Sequence, residues 1–119
     1  MKKIIFALLL VMLVMGLAGC NNHRFADASE RNINIATRAV EIADEFLDAN
    51  ISAATAFERI DSLATVDRDG AVVNLILHTE VGRLRLSLQS AARNDTTENY
   101  NAVLERRNTL AVDLGMRRR

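Results

Sequence analysis

The 119-residue chain holds one cysteine, Cys20, directly after Leu17-Ala18-Gly19. A lone thiol excludes an intrachain disulfide framework and a thiolate metal site built within one chain. Cys20 is then either an ordinary buried or free thiol or a site of covalent modification. The other residues able to do chemistry are scattered. His78 precedes Glu80 by two positions, which puts them on different sides of a helix. A zinc site takes about three or four ligands, so His78 reads as a surface or edge histidine. Ser62, Ser87 and Ser90 lack a matching histidine-and-acid set. Gly70, Gly82 and Gly115 are isolated, so no phosphate-cradling loop is present. Glu41, Asp44, Glu45 and Asp48 gather acids without the spacing of a calcium loop, and read as a solvated helix face. No catalytic, cofactor-binding or metal-ligating residue is assigned, and no enzyme activity is expected.

Two arginine features stand apart. Arg107 falls inside an apolar stripe of Val103, Leu104, Leu110, Ala111 and Leu114. A buried arginine needs an acid. The expected partner is an acid of the first two helices, with Asp61 the candidate; the alternative is an anion or partner site. Arg117-Arg118-Arg119 closes the sequence. It reads as a frayed, solvated end suited to the helix dipole, or as a contact for anionic lipid headgroups.

The N-terminus explains what Cys20 is for. Met1-Lys2-Lys3 is cationic, Ile4 to Gly19 carries no charge, and small residues precede the cysteine. These are the three parts of a secretory signal. As a helix the apolar run covers roughly 24 Å, short of a hydrocarbon core of about 30 Å, which favours a cleaved signal over a retained span. Leu17-Ala18-Gly19-Cys20 resembles the lipobox of bacterial lipoproteins. The resemblance implies a diacylglycerol on the Cys20 thiol, cleavage just before it, and at least two acyl chains (palmitate-type) on the mature first residue. Two or more chains anchor stably where one does not. On this reading residues 1–19 are a signal peptide. Residues 20–26 are a tether of about 23 Å at full extension. Residues 27–119 are one domain held close to the extracytoplasmic face of the cell membrane.

Beyond the signal the composition is that of a small helical protein. Fifteen basic residues balance fifteen acidic ones, which argues against a general nucleic-acid binder. Lys2 and Lys3 are the only lysines, and Trp and Pro are absent. Acids dominate residues 27–69, and arginines dominate residues 70–119. Halves of this kind attract each other inside one bundle or present two faces to different partners.

Spacing predicts an all-α fold: an up-down antiparallel bundle of about four helices. The first opens at Asp27 with Glu30 in capping-box position. Ile33, Ala36, Val40, Ala43 and Leu47 form one apolar row, with Ile35, Ala39, Ile42 and Phe46 beside it. A break at Ala49-Asn50-Ile51 leads to Ser52 as the next N-cap. Ala56, Phe57, Ile60 and Leu63 then make a narrower stripe.

Residues 71–93 admit two readings. As a helix, Val73, Leu77, Val81, Leu84, Leu88 and Ala91 share one face and Val72, Leu75, Thr79 and Leu86 another, which would make it the most buried element. As a hairpin turning at Val81-Gly82, residues 83–89 alternate strictly. The helix is preferred because Leu dominates and an isolated hairpin lacks partner strands. The last helix opens at Asp95 with Glu98 in capping position and ends at Gly115. Val40, Leu47, Phe57, Ile60, Leu84, Leu88, Leu104 and Leu110 are expected in one core.

The stretches Ala39 to Asp48, Ile51 to Ile60 and Val103 to Ala111 are similar to those of small, uncharacterised helical lipoproteins of Gram-positive bacteria. The resemblance brings no activity and no further site residues. The function expected is a lipid-anchored module at the membrane surface that binds another protein or itself, or serves structurally. The alternatives are a small ligand-binding lipoprotein serving a transporter or cell-wall enzyme, and a mobile-element exclusion or immunity lipoprotein.

Overall fold

The computed structural model describes residues 28–119. Residues 1–19, the tether with Cys20, and Asp27 lie outside that range. Four helices follow in order: α1 (Glu30–Leu47), α2 (Ala53–Asp61), α3 (Val72–Arg93) and α4 (Thr97–Asp113). The all-α bundle is as the periodicity indicated, and residues 72–93 form one helix.

The helix starts differ at two places from those expected. Ser29, not Asp27, caps α1, its side chain accepting from the Asn32 N–H at 3.1 Å. Thr96, not Asp95, caps α4 through the Asn99 N–H. In each case a hydroxyl closer to the apolar repeat provides the cap, and the spacing to Glu30 or Glu98 misplaced the boundary. Ser52 caps α2 as expected.

Two helices end in the same six-to-one and five-to-two hydrogen-bond pattern. After α4 it uses Gly115 at φ 76°. After α1 it uses Ala49 at φ 61°, with Asn50 N–H bonding Glu45 O and Ala49 N–H bonding Phe46 O. The left-handed conformation strains Ala49, which has a Cβ, and not Gly115.

α1 and α3 each touch every other helix, while α2 and α4 touch only those two. Asn32 meets Asn74, both near helix starts, so α1 and α3 run parallel. Tyr100 donates its hydroxyl to Leu47 O at 3.1 Å and Arg107 reaches Asp44, so α4 runs opposite to α1. The alternation is up, down, up, down. Ala36, Ala39, Val40, Ala56, Leu77, Leu84, Leu88, Val103, Leu110 and Ala111 are fully enclosed between the helices. Leu47 and Ile60 join them, while Phe57 and Leu104 pack from the rim, half-buried. Phe57 carries the Arg85 guanidinium 5.7 Å from its ring centre.

α3 is not the most buried element. Val72, Leu75 and Leu86 are exposed. Its neighbours α1, α2 and α4 cover one side, and among the described residues no fourth helix covers the second apolar face. The helical and hairpin readings of residues 71–93 also make opposite demands on Gly82. A Cβ added there meets no atom within 4 Å. Gly82→Ala is therefore expected to raise stability by about 0.5–1 kcal/mol, the helix-propensity difference alone. In a tight hairpin turn the same change would lower stability, so the sign of the shift in a urea melt decides between the two folds.

Candidate functional site

The acids of α1 do not form an open cation site. Glu41, Asp44, Glu45 and the capping Asp48 are each matched to an arginine. Glu41 pairs with Arg38 at 3.1 Å, and Glu45 with Arg59 at 2.9 Å. Asp44 takes Arg107, and Asp48 takes Arg119. Among the described residues no group of three or more His, Cys, Asp or Glu side chains is placed to hold a metal ion.

Arg107 pairs with an acid of the first helix, as its place in the stripe demands, but the acid is Asp44. Asp61 pairs instead with Arg85 at 3.1 Å. The Arg107–Asp44 contact is two-pronged: Nε donates to Oδ1 at 2.7 Å and Nη2 to Oδ2 at 3.1 Å. Nη1 donates to Asn108 Oδ1 and to the carbonyl of Arg117. The guanidinium is thus engaged on all three nitrogens within the chain. A planar donor fork matched to one carboxylate is a strong, directional arrangement.

The C-terminal arginines are not a frayed end. Gly115 reverses the chain, and residues 116–119 run back beside α4. Arg119 N–H donates to Asn108 Oδ1 at 2.9 Å, and Asn108 Nδ2 donates to Arg119 O at 3.3 Å. The Arg119 side chain bridges Asp44 and Asp48. Arg117 and Arg118 stay exposed. The hydrogen bond from Arg119 holds the Asp48 carboxyl below its ordinary value, against a smaller opposing effect of desolvation. The same contact raises Arg119. Two carboxylates and two guanidiniums make this corner neutral and internally satisfied.

A second polar cluster lies at the other end of α1 and escaped the sequence reading. Asn32 is fully buried, and Asn74 nearly so. Asn32 Nδ2 donates to Asn74 Oδ1 at 2.9 Å and to Asp67 O at 2.7 Å. Asp67 N–H donates back to Asn32 Oδ1 at 2.9 Å. Asn74 Nδ2 donates to Asp69 O at 3.1 Å, and Asn74 Oδ1 accepts from Ser29 N–H at 3.3 Å. The two amides hold residues 62–71, the non-helical segment that follows the short α2. A signal was present in phase. Asn32 lies one turn before Ala36, and Asn74 precedes Leu77, so each amide begins a row that turns out to be core.

His78 belongs to the same strap. Its Nδ1 bonds the carbonyl of Val66 at 2.9 Å, and since a carbonyl only accepts, the ring nitrogen donates. It borders an open cleft with Ile60, Asp61, Val81 and Arg85, whose polar groups are paired with each other. Ser62, Ser87 and Ser90 donate their hydroxyls to Glu58 O, Leu84 O and Leu86 O, carbonyls of the helix that each caps or belongs to. Among the described residues none of these serines is brought to a histidine. Cys20 lies outside the described residues. Compared with known protein families, curated proteins and solved structures, the chain matches none.

Two outcomes are expected from this geometry. Asn32→Ala strands the Asp67 N–H and one Asn74 oxygen contact, and costs about 1–3 kcal/mol in a urea melt. It also frees residues 62–71, so trypsin cuts after the exposed Arg68 under conditions that spare the parent chain. The Asp48–Arg119 contact is tested by pH. A carboxyl lowered in the folded chain contributes fully above its unfolded value, 3.8, and loses that contribution as pH falls through the lower folded value. The urea midpoint of Asp48→Asn should therefore lie below that of the parent at neutral pH, with the gap closing in acid. A gap that stays constant down to strong acid would show that the contact does not titrate.

Proposed function

We propose that this chain is a lipid-anchored protein whose helical domain works at the extracytoplasmic face of the cell membrane, as a protein-interaction or structural module and not as an enzyme. The observation that carries the reading is Leu17-Ala18-Gly19-Cys20 at the end of a cationic start and an uncharged apolar run. Residues 1–19 are the signal, and Cys20 is the lipidated residue.

The described domain supports a non-catalytic role in one respect. Its polar side chains of chemical interest are spent on internal contacts: Arg107 on Asp44, His78 on Val66, the serines on helix carbonyls. An active site needs a nucleophile and base aimed at a shared empty point. No helix of the described residues is long and apolar enough to cross a membrane. On the lipobox reading attachment is through Cys20, and two or more acyl chains on that residue hold stably.

The test is made in a bacterial host. The parent chain should take up labelled palmitate, shorten by its signal, and float with membrane vesicles. Cys20→Ser should lose the label and the lipoprotein-type cleavage together. Undiminished labelling of Cys20→Ser would sink the assignment.

A further inference from the structure

α3 leaves an apolar patch uncovered at its first turns. Val72 is 74% exposed, Leu75 47% and Ile76 38%. Steps of three and four return to the same side of a helix, so the three share one arc. Thr79 continues it, and its hydroxyl is already donated to Leu75 O at 3.0 Å, which takes that donor away from the face. Scattered exposed apolar side chains need no account, but three adjoining ones at one helix start do.

The course of the chain supplies the occupant. Asn74 stands between these residues in sequence, and its Oδ1 accepts from the backbone N–H of Ser29. The chain therefore enters the bundle at the same end of α3 as the patch, on the buried side of that helix. Cys20 precedes Ser29 by nine residues. Even fully extended, that length reaches only about 30 Å. The other end of α3, where Asp95 follows, is about 33 Å away along a helix of 22 residues. An anchor at Cys20 thus holds the patch end of α3 within about 30 Å of the bilayer. The charges around it, Glu30, Arg31, Asp67, Arg68 and Asp69, are mixed in sign, with no basic excess to seek anionic headgroups.

Resting on the lipid-anchor reading, we propose that Val72, Leu75 and Ile76 dip into the interfacial layer of the bilayer that holds Cys20. The bundle then stands on the membrane with the start of α3 downward. The partner is the boundary between headgroups and acyl chains of a lipid bilayer. The contact is driven by removal of apolar surface from water, so it is insensitive to salt.

The experiment uses the full chain, lipidated in its host and reconstituted into phosphatidylcholine vesicles. A single further cysteine is introduced at a time: Val72→Cys or Leu75→Cys at the patch, Asp95→Cys at the far end. Each carries an environment-sensitive fluorophore, the Cys20 thiol being consumed by its lipid. All three positions are exposed, and an unchanged circular-dichroism spectrum checks the fold. Probes at 72 and 75 should shift to shorter wavelength, and acyl chains bearing a quencher should quench them about threefold or more above the probe at 95, at low and high salt alike. Equal quenching at 75 and 95, in protein that floats and retains its lipid, overturns the contact and leaves the anchor standing. Protein that carries no lipid and does not float overturns the anchor and the contact with it. A wavelength shift without vesicles that grows with protein concentration makes the occupant a second copy of the chain, and also overturns the proposal.

Discussion

The position of α1 constrains the rest of this structure. It touches all three other helices, and a wide arc of its surface is enclosed by them. Small side chains make that possible: Ala36, Ala39 and Ala43 are fully buried, so neighbouring backbones approach closely. Burying so much of one helix carries polar groups inward. Asn32 goes fully inside, and Asp44 sits at the border of the arc. A buried amide or carboxylate without a partner costs more than the packing around it can offset. The remaining elements are arranged to answer these two side chains.

At the lower end the answer is backbone. α2 is half the length of α1, and an extended segment covers the remaining distance to α3. Such a segment has no helical partners for its amides and carbonyls. Asn32 and Asn74 supply them, Val66 is buried beneath, and His78 fastens the Val66 carbonyl. The short helix and the buried amides are one solution to one problem. At the upper end the answer is charge. Arg107 meets Asp44 with two parallel bonds, and the returning tail closes over both. Exposed pairs such as Arg38–Glu41 contribute only about 0–1 kcal/mol. The Arg107 pair is different in kind, because its guanidinium side chain is 6% exposed. Removing either partner there leaves a charge that water reaches poorly.

The uneven charge of the sequence takes on meaning in this arrangement. Acids of the first half and arginines of the second meet across helix seams, Asp44 with Arg107 and Asp61 with Arg85. The tail arginines divide: Arg119 is drawn into the acidic end of α1, while Arg117 and Arg118 remain in solvent. The ends of the bundle consequently differ in character. One is ion-paired and carries the exposed Arg117 and Arg118, and the other shows the apolar start of α3.

Apolar spacing and cap chemistry were enough to read the helix count, the core rows, the break at Ala49 and the end of the last helix at Gly115. Those depend on local periodicity and cap chemistry, which act within a few residues. The role proposed for Cys20 rests on contiguous residues alone, and the fold of residues 28–119 does not bear on it. The helix starts at Ser29 and Thr96 were misplaced by a turn or less, since two polar candidates stood side by side and the nearer hydroxyl won. Arg107 announced its need for an acid but not which one: Asp44 and Asp61 differ only in which helix seam they face. Asn32 and Asn74 were in phase with the core, yet their pairing requires knowing that α1 and α3 run parallel and start at the same level. The fate of the second apolar face of α3 was decided by where its neighbours sit: α1 has as many and buries a wide arc, while those of α3 leave Val72, Leu75 and Leu86 exposed. No pattern along a single strand of sequence says on which sides the neighbours will lie.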